Sequence, residues 1–363
     1  MTPLLSVRGL SVVFPTQEGG FKALDDVSMD IGPEEHVAVI GESGCGKSVL
    51  GHSMMRLLDD ISETEGEIWF EGRDLRALDR KDLDGIRGAR IALIPQSPST
   101  SLDPVMKIGR QIEEIYTIHG VDRAEARRRT AESLRDIGFA DPEAICSSYP
   151  HRMSGGMCER AVISMGVSLN PALLIADEPT KGLDPGVKIN VLRQLLERSR
   201  GRALMMITHD YNAIRICERT VVMYNGRIVE DGPTPEVIER PMHPYTKALW
   251  GSVPSNGMRP IPGSVEKADS GCDYSNRCSG FCDRCREAQG LKETSEGHFA
   301  RCWDARAPQH HDSLPPGDPE EDLQARAGRR VAGSGQGGSP WHHRGQRLRQ
   351  DHHSEDSRPA REP

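Results

Sequence analysis

Short apolar runs alternate with amphipathic stretches along most of the chain. Leu4 to Phe14 is rich in Leu and Val, and Val27 to Ile40 reads as two strands broken at Gly32-Pro33-Glu34-Glu35. Val49 to Leu58 carries apolar residues at helical spacing (Leu50, Met54, Leu57, Leu58). Gly66 to Phe70 reads as a strand, and Ile91 to Gln96 as a buried strand that gives way to a loop at Gln96. Asp122 to Ile137 alternates charged and apolar positions as a solvated helix does. Leu173 to Glu178 is a continuous apolar strand ending in two carboxylates; Val187 to Leu196 is helical by pattern, and Ala203 to Asp210 is another buried strand with a polar end. Val221 to Tyr224 and Arg227 to Val229 flank Asn225-Gly226, a two-residue hairpin signal. Strands alternating with helices predict an α/β core with a mainly parallel sheet.

Composition changes this picture at one end. Hydrophobic residues make up 36% and aromatics 4% of 363 residues, low for a compact chain, so part of the length is expected to be unpacked. From about Ala305 to Pro363, Pro, Gly, Arg, His and Asp dominate, and 306–363 reads as a disordered tail. The basic residues around Arg344 are broken up by acidic ones, and the formal charge of −8 gives no general attraction to nucleic acid. No apolar run approaches the roughly 18 residues of a membrane helix. Met1-Thr2-Pro3 leads directly into a strand-like segment, so a cytoplasmic protein is expected.

The candidate chemistry centres on Gly41-Glu42-Ser43-Gly44-Cys45-Gly46-Lys47-Ser48, a G-x-x-x-x-G-K-S loop between a buried strand and the helix beginning near Val49. Its glycines let backbone N–H groups turn onto a polyphosphate, Lys47 can reach the β/γ oxygens, and the Ser48 hydroxyl can bind Mg²⁺. Such a loop does not hydrolyse anything alone, because the attacking water must be oriented and the metal coordinated. Asp177 and Glu178 suit those tasks, although two acids at a strand end also start solvated turns. His209, at the end of another strand, reads equally well as a surface histidine.

Tyr149-Pro150-His151-Arg152-Met153-Ser154-Gly155-Gly156-Met157, upstream of Asp177-Glu178-Pro179-Thr180, resembles the signature loop of ABC-type ATPases. The order of phosphate loop, Gln96, Ser154-Gly155-Gly156, Asp177-Glu178, Leu183-Asp184 and His209 matches that family over roughly residues 4–305. His243-Pro244-Tyr245-Thr246 and the wording around Asp177 resemble the oligopeptide/dipeptide importer subgroup, which includes nickel and metal-chelate importers. The resemblance implies a P-loop NTPase core of ABC type in residues 1–250, with an N-terminal antiparallel β part and a helical insertion at about 97–165. A small Cys-rich extension follows at 251–305.

It further implies ATP and Mg²⁺ as cofactors in a head-to-tail dimer. Gly41 to Val49 of one subunit would face Ser154, Gly155 and Gly156 of the other, with Asp184 also at the nucleotide and Phe14 stacked on adenine. Ser48, Gln96 and Asp177 would hold Mg²⁺, Glu178 would be the general base, and His209 would contact the γ-phosphate. The expected partners are two membrane-spanning permease subunits contacted through the Gln96 loop, a second, non-identical ATPase subunit, and indirectly an extracytoplasmic solute-binding protein. The expected location is peripheral, on the cytoplasmic face of the cell membrane. Cys158-Glu159-Arg160 departs from the subgroup's Arg-Gln-Arg, and Cys45 replaces a common Ser.

The nine cysteines are unevenly placed, and Cys272-x5-Cys278-x6-Cys285-x16-Cys302 resembles the subgroup's [4Fe–4S]-binding region. Four thiolates suit an iron–sulfur cluster or zinc, and Cys282 is an extra thiol. In the tail, His343 to His353 read one base over in GC-rich codons encodes Ile-Val-Gly-Ser-Gly-Ser-Gly-Lys-Thr-Thr, one residue short of a phosphate loop. The hypothesis is that the tail is an out-of-frame reading of a neighbouring second ATPase. Codons that give no Gly-Lys-Thr in the shifted frame would exclude it.

Overall fold

The computed structural model describes residues 2–17, 19–97, 101–253, 257–266, 268 and 270–305. The tail and its frame-shifted reading lie outside the described residues. The strands are β1 (Leu5–Thr16), β2 (Gly19–Ile31), β3 (His36–Ile40), β4 (Glu63–Phe70), β5 (Arg73–Asp74), β6 (Ile91–Ile94), β7 (Leu173–Asp177), β8 (Ala203–Ile207), β9 (Arg219–Tyr224), β10 (Arg227–Pro233), β11 (Lys292–Ser295) and β12 (His298–Ala300).

Two sheets result. One is antiparallel, in the order β2-β1-β4-β5, and supplies the expected N-terminal β part. The other runs β11-β12-β10-β9-β3-β8-β7-β6; β9, β3, β8, β7 and β6 are mutually parallel, and the β10 end is antiparallel. Strands β3, β7 and β8 are buried along almost their whole length, which is why they read as continuous apolar runs and not as alternating ones. The hairpin at Asn225-Gly226 forms as expected, with φ 46° and 81° at its two turn residues.

Local differences have local causes. The first helix occupies Lys47–Met54, not Val49 to Leu58, because Arg56 takes φ 53° and turns the chain, leaving Leu57 exposed. The solvated helix spans Arg123–Asp136, capped by the Asp122 carboxylate accepting from the Ala124 and Glu125 amides. With helices Ile108–Ile118, Pro142–Ser147 and Gly155–Val167 it fills the expected insertion, and Ile112, Tyr116, Leu134 and Val162 join the core beneath. Among the described residues no helix is long and apolar enough to cross a membrane.

The C-terminal segment is not a simple appendage. β12 pairs antiparallel with β10 (Glu230 opposite Ala300), so the cysteine-bearing region extends the main sheet. A buried acid–imidazole contact fastens it: His298 Nε2 lies 2.8 Å from Glu230 Oε1, and both side chains are fully buried. The Glu230 carboxylate also accepts from the backbone amides of Met242 (2.8 Å) and His243 (2.7 Å). Glu230→Ala would leave three buried donors without their acceptor, so we expect a loss on the order of 3–5 kcal/mol. Urea denaturation measures it, and a change under about 0.5 kcal/mol, the size of an ordinary surface substitution, would refute this role.

Candidate functional site

The loop after β3 is shaped by close backbone contacts. Gly41, Gly44 and Gly46 take φ of 150°, 83° and 102°. A Cβ at Gly41 would stand 2.2 Å from the Met223 carbonyl oxygen, and one at Gly46 would stand 2.6 Å from that of Ala23, so neither site admits a side chain. Gly46 is the N-cap of helix Lys47–Met54 and supplies no side-chain cap, which leaves the first-turn amides to an outside acceptor. Lys47 is buried, and its ammonium donates to the carbonyls of Gly41 (2.8 Å) and Glu42 (2.9 Å), so it is already seated inside the loop. Cys45 is buried with Sγ 3.8 Å from Lys47 Nζ, and burial pushes its thiol up. Ser43 and Gly44 are exposed; Glu42, Ser48 and Val49 are half-buried.

Parallel pairing brings the expected acidic and polar groups to the same sheet edge. Asp177 is in register with Ile207, Val39 with Ile207, and Ile94 with Ala176, so β3, β6, β7 and β8 end together. Asp177 is 2% exposed; burial pushes its carboxyl up, partly offset by the Ser48 hydroxyl, and Oδ1 has no hydrogen-bond partner among the described residues. Glu178 takes φ 50°, an uncommon backbone state for this residue type, with its amide donating to Ile207 O at 2.8 Å. His209 Nδ1 meets the Glu178 carboxylate at 2.8 Å, and that hydrogen bond raises the imidazole's basicity. Gln96, half-buried, lies two residues beyond β6.

Other expected residues lie elsewhere on the fold. Ser154 and Gly155 are exposed at the start of helix Gly155–Val167, where the Ser154 hydroxyl accepts from Met157 N at 3.3 Å. Asp184, also exposed, precedes helix Pro185–Arg198, and Gly156 packs close to Val187 of that helix. Phe14 is half-buried on β1 opposite Phe21, which is 58% exposed and which the sequence pattern passes over.

All five clustered cysteines line one cavity of about 240 Å³, together with His243, Tyr274 and Trp303. Cys282 and Cys285 bring their sulfurs to 3.7 Å, and burial pushes the Cys272 thiol up to about 11. Among the described residues no three His, Cys, Asp or Glu side chains are arranged to hold a single metal ion. The residues that sequence reasoning missed are the partners of Glu42: Arg277 and the tyrosines around it. Tyr245 lies in the His243-Pro244-Tyr245-Thr246 motif, but nothing local in the sequence marks it or Arg277 as partners of Glu42, because they meet Glu42 only through folding.

Residues 24–181 match the family model described as ABC transporter, and residues 229–289 match that of the oligopeptide/dipeptide transporter C-terminal region. The chain is 43% identical to the "Probable peptide ABC transporter ATP-binding protein y4tR" of Sinorhizobium fredii, over 83% of this chain and 94% of that protein. It is 38% identical to the dipeptide transport ATP-binding protein DppD of Bacillus subtilis, over 84% and 95%. The fold resembles the dimeric, post-hydrolysis ATP-binding cassette MJ0796 bound to ADP and Pi. That match has a TM-score of 0.58 at 25% identity and covers 63% of this chain and 98% of that one.

The departure at Glu159 has a measurable consequence. The side chain is 2% exposed, Oε1 lacks a partner among the described residues, and burial pushes the carboxyl from its ordinary 4.5 up to about 8. Between those values the folded state holds a proton that the unfolded chain has released, so this residue's contribution to stability falls as pH rises. Glu159→Gln should match the parent below pH 4.5 and become progressively more stable up to about pH 8, by about a few kcal/mol. Denaturation curves for the two proteins that stay parallel across this window would contradict the assignment.

Proposed function

This chain belongs to the ATP-binding subunits of ABC-type oligopeptide/dipeptide importers, which are ATPases, and from that membership we propose how its residues divide the work. The observation that carries the reading is the convergence at one sheet edge: a glycine loop with Lys47 seated in it, Asp177 with an unpaired buried oxygen, and Glu178 held by His209.

ATP binds with its phosphates against the amides of Gly44 to Val49, where the helix N-terminus favours negative charge, and Lys47 exchanges its carbonyl partners for phosphate oxygens. The adenine stacks near Phe14. Ser48, Asp177 and Gln96 would hold Mg²⁺; the unpaired Asp177 oxygen and the Ser48 hydroxyl beside it are a donor set suited to a hard cation. When bound, that ion supplies charge neutralisation to the phosphates. The Glu178 carboxylate takes a proton from water as the water oxygen bonds to the γ-phosphorus and the bond to the β–γ bridging oxygen breaks. His209 uses Nδ1 on Glu178, which leaves Nε2 free for the γ-phosphate; its raised basicity favours the doubly protonated ring that can serve both.

Ser154-Gly155-Gly156, exposed at Ser154 and Gly155, completes the partner's site in a head-to-tail dimer, and Asp184 also lies at the nucleotide. Their position at exposed helix starts suits that task. Residues 1–250 form the ATPase domain, with its helical insertion at about 97–165, and residues 251–305 the Cys-rich extension. The partners are two permease subunits reached through the Gln96 loop, a non-identical second ATPase, and, through the permeases, an outside solute-binding protein, with the chain peripheral on the cytoplasmic membrane face. Cys272, Cys278, Cys285 and Cys302 would take a [4Fe–4S] cluster, which supplies cross-linking of the extension; the thiol-lined cavity supports this.

Lys47→Ala should abolish ATP binding and ATP-driven uptake. Glu178→Gln should keep ATP binding and lower phosphate release by about 10²–10⁴-fold. Unchanged phosphate release in Glu178→Gln would overturn the base assignment. For the cysteines, iron and acid-labile sulfide are expected in the anaerobically purified protein, and stoichiometric zinc without sulfide would overturn the cluster.

A further inference from the structure

Two connections run from the cysteine-lined cavity to the phosphate loop, and both end on Glu42. Arg277 directly precedes Cys278, and its side chain is 3% exposed. It grips the Glu42 carboxylate with two prongs, Nη1 to Oε2 at 2.7 Å and Nη2 to Oε1 at 3.0 Å. Its Nε donates to the Pro262 carbonyl at 2.7 Å and Nη1 also reaches the Tyr224 hydroxyl at 3.3 Å. The guanidinium stands 5.8 Å from the ring centroids of both Tyr224 and Tyr274, and Tyr274 lines the cysteine cavity. In the second connection the Tyr245 hydroxyl accepts from the Glu42 amide at 2.8 Å. Two residues earlier, His243 lines the cavity and accepts from the Tyr245 amide at 3.0 Å. The rings of Tyr224, Tyr245 and Tyr274 close the space between, with centroids 4.6 to 5.5 Å apart.

Two physical consequences meet at Glu42. Its carbonyl, with that of Gly41, seats the Lys47 ammonium, so whatever fixes Glu42 fixes the acceptors of Lys47. Its carboxylate, moreover, is a negative charge in the loop that must receive a polyphosphate, and an unpaired one there would repel the ligand. A bidentate guanidinium both anchors and neutralises it.

We propose that Arg277 is a positioning residue for ATP binding: it anchors and neutralises Glu42, Tyr245 anchors the same residue's backbone, and nucleotide affinity is thereby tied to the folding of the cysteine-rich segment. This rests on the assignment of Gly41–Ser48 as the ATP-binding loop. The test is ATP affinity of the full-length chain, by titration with a fluorescent ATP analogue, for the parent, Lys47→Ala, Arg277→Gln, Arg277→Lys and the double variant Arg277→Gln with Glu42→Gln. Arg277→Gln should weaken binding about tenfold, and removing the Glu42 charge as well should recover it to within about threefold of the parent. Circular dichroism of the same variants separates this from a merely structural arginine, whose loss would lower folding and affinity together.

Parent-like affinity in Arg277→Gln, or a double variant no better than the single one, would overturn the proposal. Parent-like affinity in Lys47→Ala would instead overturn the loop assignment. If Arg277→Gln does not fold, as judged by circular dichroism, Arg277→Lys decides: it keeps the charge and loses the two-pronged fork, so about threefold weaker binding is expected and unchanged affinity refutes the role.

Discussion

The site depends on the parallel pairing of β3, β8, β7 and β6. Parallel neighbours in close register end together, so every residue just past a strand's C-terminal end is delivered to one edge. The loop at Gly41, the carboxylates at Asp177 and Glu178, and the polar ends at Gln96 and His209 come from segments far apart in the chain. Only the ladder places them side by side. The burial of those strands on both faces makes the edge rigid, since a core packed on either side leaves no room for one strand to slide.

Charge at that edge is managed by pairing. Asp177 is buried with one oxygen that has no partner among the described residues, whereas Glu178 is tied to an exposed imidazole. Adjacent acids at one strand end therefore meet different surroundings. Lys47 is likewise held by backbone carbonyls of its own loop, so its side chain is already ordered.

The cysteine-rich region takes part in the core of the ATPase. It adds β11 and β12 to the main sheet, is held by the buried His298–Glu230 contact, and sends Arg277 to the phosphate loop. A segment that supplies sheet edge, buried polar contact and loop contact at once is energetically continuous with the domain it joins.

Sequence reasoning reached those features whose cause is local. The glycine loop needs a particular run of residues because its backbone angles admit few others, and the buried strands announce themselves as apolar runs because both faces are covered. The hairpin at Asn225-Gly226 was legible for the same reason. The length of the first helix was not, because the left-handed turn at Arg56 leaves no mark on hydrophobic spacing. Neither were the strands β11 and β12, which are short and are set by pairing, β12 with β10 and β11 with β12. By itself, then, the sequence determined that the chain carries a phosphate loop, paired acids and a cysteine cluster, and in what order along it. Tertiary structure alone decided that Arg277 and Tyr245 hydrogen-bond to Glu42 and that His209 hydrogen-bonds to Glu178, because those contacts join residues far apart in the chain, brought within hydrogen-bond reach only by packing.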